Sequence, residues 1–441
     1  DRLIRSYPND PYWADAWFDK AGVQSRLGDV STARMTLKTF ARDNPQHPRA
    51  AEALYQAAEM LKLINDPSGQ VKEYLDLRQQ YPHSTSTTQA LYWAGIYLFQ
   101  LGDYMQAAEV MRDLAENYAG SGYDSAARFW QGKSLQAAGD LTGANEAWAV
   151  LYQVEPDGWY IVRVSELGGT VPPTPPPPDD SQEVAEAWLR GWTQTNLSSE
   201  SLRLLPGEIA NDVVFRRGRE YLAVGLTRQG LLELERVYEK WRDNPLALYR
   251  LALAFRDLGA YRPSILSASR LITLSPLKSV REAPGFLLGL AYPTYYDELV
   301  QVEAAQWHLD PWLLHALIRQ ESMYDANATS GANARGLAQV IPDTGQWVAQ
   351  QLGWRNFDAN DLYRPYVNVK FGAYYLSRAL AGFEGDIYMA LAGYNGGPGN
   401  ASAWRQRAGT DDDLFVATIG AFESRTYVRS VTAQYDIYRW L

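Results

Sequence analysis

The chain has 441 residues, 46% of them hydrophobic and 21% charged, which suits roughly two to four domains with buried cores. Its 41 Lys and Arg stand against 51 Asp and Glu, a net charge of −10, so the cationic footprint of a duplex nucleic-acid binder is missing. There is no cysteine, which excludes disulfides, thiolate nucleophiles and cysteine-based zinc sites.

The chain starts at Asp1 without the basic start and apolar run of a signal peptide. Its apolar stretch from Gly285 to Tyr296 is broken by Pro293 and falls short of the roughly 20 residues that cross a bilayer. Aromatic residues abound, with 15 Trp, 29 Tyr and 12 Phe. They serve as packing wedges between helices or as flat platforms for sugars, and composition does not choose between the two.

An internal repeat dominates the first third. Asp29, Asp66, Asp103 and Asp140 are each 37 residues apart. Eleven residues before each stands an aromatic (Phe18, Tyr55, Tyr92, Phe129), and eight before each a small residue (Ala21, Ala58, Gly95, Gly132). Sixteen residues after come Pro45, Pro82, Ala119 and Pro156. The offsets predict a helix, a tight turn at the Asp, a second helix and an exit, with the small residue letting the two helices approach. One such pair cannot bury its apolar face alone, so neighbours stack into a solenoid. The period is similar to that of the tetratricopeptide class. Such an array offers a concave surface to a protein partner or acts as a scaffold, and the repeats leave both open. The Asp residues are expected as turn formers, not as catalytic acids.

Residues 1–170 are thus expected to form a repeat domain. VPPTPPPPDDSQ at 171–182 has the composition of a semi-rigid polyproline spacer. A second helical region is expected over 183–290, where Tyr249, Leu253, Leu258, Gly259 and Pro263 suggest another, degraded helix pair.

Residues 291–441 carry the candidate chemistry. Pro311 opens a helix on which Leu314, Leu317, Ile318 and Glu321 share one face. A carboxylate on an apolar stripe is poorly hydrated, and desolvation raises its pKa toward that of a general acid. Periodicity alone more readily gives a Glu in the last turn that reaches water. Downstream lie the small-residue loop from Ser330 to Gly336, Gln339 beside Ile341-Pro342, and Ala392-Gly393-Tyr394-Asn395-Gly396-Gly397-Pro398-Gly399. Glycines there allow close backbone approach to a ligand. Phe422-Glu423-Ser424-Arg425-Thr426-Tyr427-Val428 adds a second carboxylate, which alone reads as a surface partner of Arg425.

In this order the segments from Tyr292 to Leu441 resemble the catalytic domain of the soluble lytic transglycosylases, relatives of goose-type lysozyme. The resemblance rests on Ala316-Leu317-Ile318-Arg319-Gln320-Glu321-Ser322, Gly336-Leu337-Ala338-Gln339-Val340-Ile341-Pro342, Gly393-Tyr394-Asn395-Gly396-Gly397 and Glu423-Ser424-Arg425-Thr426-Tyr427-Val428. It implies an all-α fold, a tetratricopeptide-like superhelix followed by a mostly α lysozyme-like domain. It also implies Glu321 as the single acid/base, and Ser330, Gln339, Ile341, Tyr394, Asn395, Glu423 and Tyr427 as substrate-binding residues, with Tyr394 hydrogen-bonded to Glu321. Ala338 and Ile341 replace the family's usual methionines, and Gly396 stands where Ala is common. Implied too are a peptidoglycan substrate, no cofactor or metal, a monomer, and a place in the periplasm or extracytoplasmic envelope. No metal motif contradicts this. His308 and His315 lack H-E-x-x-H spacing and Asp411 to Asp413 lack calcium-loop spacing.

Overall fold

The computed structural model describes residues 1–441 and is all-helical, with two isolated β-bridges, at Thr329–Arg335 and Arg335–Val340. Two compact units divide it, one of Asp1–Pro156 with Arg163–Pro172, the other of Asp157–Val162 with Pro173–Leu441.

In the first unit the 37-residue period becomes four helix pairs: Trp13–Arg26 with Val30–Asp43, Ala50–Glu59 with Pro67–Gln80, Thr85–Gln100 with Tyr104–Asn117, and Asp124–Ala137 with Leu141–Val154. Each turn needs one left-handed residue just before the Asp. Gly28, Gly102 and Gly139 supply it at φ of 86, 82 and 88°, and Asn65 takes the same place at 55°. The Asp residues do more than form turns, because each is the N-cap of its second helix. Asp29, Asp66 and Asp140 accept the backbone N–H of Thr32, Gly69 and Gly143, at 3.0, 2.8 and 2.9 Å. Asp103 makes no such bond. The small residues work as expected. A Cβ at Gly95 would strike the Met111 side chain, and one at Gly132 the indole of fully buried Trp148.

In the second unit, Val213–Ala223 with Thr227–Trp241 and Pro245–Asp257 with Tyr261–Leu274 repeat the theme around left-handed Gly225 and Gly259. Their core of Phe215, Leu234, Leu248, Leu251, Phe255 and Leu271 continues through Leu287 and Leu288 to the rings of Tyr292 and Trp440. The proline-rich segment is not a free spacer over its second half. Trp440 donates its indole N–H to the Pro175 carbonyl (2.6 Å), and the Gly285 N–H bonds the Asp179 carbonyl (3.0 Å). A Cβ at Gly285 would collide with that backbone.

The N-caps give a graded test. Removing a cap bond costs about 1 kcal/mol, so Asp66→Ala and Asp140→Ala should each lower unfolding stability by about that much. Asp103→Ala should cost distinctly less. Urea unfolding of the three variants checks the order.

Candidate active site

Glu321 owes its position to how its helix begins and ends. The helix Pro311–Ser322 is capped by Asp310, whose carboxylate accepts the Trp312 N–H (2.9 Å) and, through its other oxygen, the Tyr435 hydroxyl (2.6 Å). It stops at two successive left-handed residues, Met323 (φ 50°) and Tyr324 (φ 62°), a conformation that costs side-chain-bearing residues free energy. Burial of the Tyr324 ring offsets that cost. Its hydroxyl bonds His315 Nδ1 (2.8 Å) and the Tyr438 hydroxyl (3.2 Å), while His315 Nε2 meets Asp297 (3.0 Å). The stop leaves Glu321 in the last turn, where the helix dipole presents its negative end.

Tyr427 donates to Glu321 Oε1 at 2.6 Å. Burial pushes the Glu321 carboxyl up to about 7. The Tyr427 bond favours the ionised form and opposes the shift, whereas the Glu423 charge adds to it. Of the two options open from periodicity, the structure selects the desolvated one. The tyrosine partner differs from the expectation. Tyr394 donates to the Ala338 carbonyl (2.8 Å), so Tyr427 and not Tyr394 holds the carboxyl. Tyr394 still feels Glu321, whose charge adds to the burial that raises the Tyr394 hydroxyl pKa.

The loop facing Glu321 is fixed from several sides. Ser322 donates to the Leu337 carbonyl (2.8 Å), Tyr394 to Ala338, and fully buried Asn368 accepts the Ala338 N–H (2.7 Å). The Asn368 amide group donates to the carbonyls of Arg335 and Leu362, both at 2.7 Å. Gly336 lies so close to Leu362 and Asn368 that a Cβ would collide with them. Gln339 adopts φ 48° and donates to the Gly336 carbonyl (2.9 Å), leaving its amide oxygen without a bond inside the protein. The motif loops are also joined to each other, since Ser424 donates to Asn395 (2.7 Å).

The remaining predicted residues stand further out. Ser330 is exposed and closes its own loop by accepting the Ala334 N–H (3.1 Å). Ile341 is 46% exposed at the start of the helix Pro342–Gln351. Glu423 is exposed in the first turn of Phe422–Trp440 and is not the partner of Arg425, which donates to the Ala417 carbonyl instead (3.3 Å). Asn368 and Ser322 were missed as organisers of the loop. A buried Asn on the otherwise apolar face of the helix Pro365–Gly382 was the available signal.

A polar loop, a helix-end carboxyl whose pKa is pushed up to about 7 and a tyrosine donor make this a candidate general-acid site on an all-helical scaffold. Residues 298–414 match the family model described as Transglycosylase SLT domain, and residues 89–121 and 215–276 match Tetratricopeptide repeat models. Over this segment the chain is similar to the soluble lytic transglycosylases.

A relative from Haemophilus influenzae is 32% identical over 153 residues, 34% of this chain and 26% of that protein. The soluble lytic murein transglycosylase of Escherichia coli K12 is 29% identical over 150 residues, 33% of this chain and 23% of its own length. The matched segment therefore spans about a quarter of these relatives. Among solved structures, the 70 kDa soluble lytic transglycosylase of Escherichia coli has a TM-score of 0.72 at 19% identity, covering 97% of this chain and 62% of that one. At that identity the likeness concerns the fold.

Two predictions follow from the raised pKa. Catalysis by protonated Glu321 should be full below about pH 6 and fall as pH rises through about 7. Removing the hydroxyl in Tyr427→Phe removes a bond to the carboxylate, so this alkaline limb should move to higher pH while the rate drops roughly tenfold to a hundredfold. A pH–rate profile of kcat/KM measures both. The second prediction concerns stability. Because the folded state binds the proton more tightly than the unfolded chain, Glu321 lowers stability as pH rises from about 4.5 through about 7. Glu321→Gln cannot ionise and should stabilise the protein by about 2–3 kcal/mol at pH 8, but little at pH 4. Denaturant unfolding at the two pH values checks this.

Proposed function

We propose that this protein is a peptidoglycan lytic transglycosylase that cleaves the bond between N-acetylmuramic acid and N-acetylglucosamine without water. The observation that carries the reading is Glu321, a carboxyl pushed up to about 7 in the last turn of its helix and held by Tyr427. The family match over residues 298–414 supports the substrate class. Two of the solved relatives add chemical context, one described as an inactive Glu-to-Gln mutant from Pseudomonas aeruginosa and one as a complex with bulgecin A.

Glu321 protonates the glycosidic oxygen as the bond to the muramyl C1 breaks. The acetamido oxygen of the same sugar supports the developing cation. The resulting carboxylate then takes the proton of the muramyl C6 hydroxyl, and that oxygen closes onto C1 as a 1,6-anhydro ring. The substrate supplies its own nucleophile, so one carboxyl acts twice as acid and base. No metal or cofactor enters any step. Gln339, whose amide oxygen points to no partner of its own, together with Ser330, Ile341, Tyr394 and Asn395, lines the sugar site. Glu423 shapes the site by its charge, which favours the protonated form of Glu321. The repeat array is the surface for a protein partner or for the strand, and the substrate sets the location in the cell envelope. No helix is long and apolar enough to cross a membrane.

That same effect of Glu423 favours one alternative, hydrolysis, in which a second carboxylate activates water. Mass spectrometry of muropeptides released from purified peptidoglycan separates the two. Anhydromuramyl ends are expected, and reducing ends heavier by one water would assign hydrolysis instead. Glu321→Gln should abolish release, and unchanged release would overturn both readings.

A further inference from the structure

Behind the catalytic helix, on the face away from Glu321, lies a cavity of about 510 Å³. Its walls come from Tyr261–Leu274, from the segment Leu277 to Val280, from Ala291 and Tyr292, and from the two helices that carry Glu321 and Tyr427. The floor holds Arg319, only 8% exposed. Its Nε donates to the Ala291 carbonyl (2.8 Å), Nη1 to the Gln434 amide oxygen (2.8 Å) and Nη2 to the Ser269 hydroxyl (3.3 Å). A guanidinium has five N–H donors. Three of them meet neutral acceptors, two are left over, and no carboxylate stands within ion-pair distance. The Tyr292 ring lies under the charge with its centroid 4.2 Å away.

Buried charges are as a rule paired, because desolvating one without a counter-ion is costly. The other charges at the cavity do not supply the missing partner. Asp157 lines it, but that carboxylate is already taken by Arg281 (3.0 Å), the Ser279 hydroxyl (2.8 Å) and the Val280 N–H (2.6 Å). Lys278 stands exposed at the rim and adds a second positive charge. A chain of net charge −10 thus keeps a cationic hollow here. The rest of the lining mixes the hydroxyls of Ser269, Thr273, Ser279 and Ser430 with an aliphatic side of Ile272, Leu277, Val280 and Ile437.

We propose that this cavity binds a carboxylate-terminated short peptide, with the carboxylate on Arg319 and the small apolar side chains against the aliphatic wall. The volume lies in the range of small-ligand pockets and suits a ligand of about two residues. A planar carboxylate matches the guanidinium fork, which a spherical anion does not. The site is separate from the glycan cleft but rests on the same helix pair. Gln434 bonds Arg319 through its oxygen and Gln320, the neighbour of Glu321, through its nitrogen (2.7 Å). A carboxylate that draws Arg319 toward the cavity therefore pulls on the bond next to the catalytic acid.

The test is calorimetric titration of the full chain with N-acetyl-Ala-Ala, with the same dipeptide as its C-terminal amide, and with acetate. The free acid is expected to bind at least roughly tenfold more tightly than the amide. Acetate, which lacks the apolar contacts, should bind more weakly than the acid. Thr273→Trp, which fills the cavity from its wall, should abolish binding. Arg319→Lys keeps a charge, loses the fork, and should weaken the acid roughly tenfold toward the amide. Equal binding of acid and amide, no binding of either, or full binding by Thr273→Trp would overturn the proposal. None of these readouts depends on glycan cleavage, so the outcome is independent of whether the transglycosylase reading holds.

Discussion

The contact between Pro311–Ser322 and Phe422–Trp440 is the constraint on which the rest of the site depends. Bonds from one helix to the other run along its whole length, from Asp310 with Tyr435, through Arg319 and Gln320 with Gln434, to Glu321 with Tyr427. Tyr438 extends the set to Tyr324 just beyond the helix end. A carboxyl group that must be both desolvated and aimed cannot rest on a flexible support, since small misplacements cost large factors in rate. Here the first helix is fixed in register by polar side chains at both ends, and the hydroxyl that touches Glu321 belongs to the helix that fixes it.

The same arrangement explains how a partly buried carboxyl comes to titrate near neutrality. Desolvation is the largest influence on Glu321, and the nearby Glu423 charge reinforces it. Tyr427 pulls the other way and keeps the group within reach of neutral pH. On the proposed reaction, a carboxyl raised much further would protonate the leaving oxygen readily yet serve poorly as the base for the second step. A general acid/base works best with a pKa near the ambient pH. The opposed influences of burial and one hydroxyl bond bring Glu321 there.

Local features were legible in the sequence and distant pairings were not. The 37-residue array could be read because glycine in a left-handed turn and a following Asp cap leave fixed marks in each repeat. Glu321 could be placed on an apolar stripe because helical periodicity needs only its near neighbours. Its tyrosine could not be chosen. Tyr394 and Tyr427 both sit in glycine- or hydroxyl-rich motifs, and which one reaches Glu321 depends on how helices far apart in the chain pack. Asn368 stands out in the sequence only as a polar residue on an apolar helix face, and its worth lies in bonds to Arg335 and Ala338 some thirty residues before it and to Leu362 close by. The proline-rich segment has the composition of a spacer, and only the tertiary bonds at Pro175 and Asp179 show that it is laid down on the second unit.

Gly396 ties these packing details together. A Cβ there would come within 2.8 Å of both the Trp404 ring and the Ser424 hydroxyl that holds Asn395. The alanine common at this place in the family is therefore not available to this chain while Trp404 stands. A methyl group at 396 would therefore press on the Trp404 ring and on the hydroxyl that ties the two motif loops together.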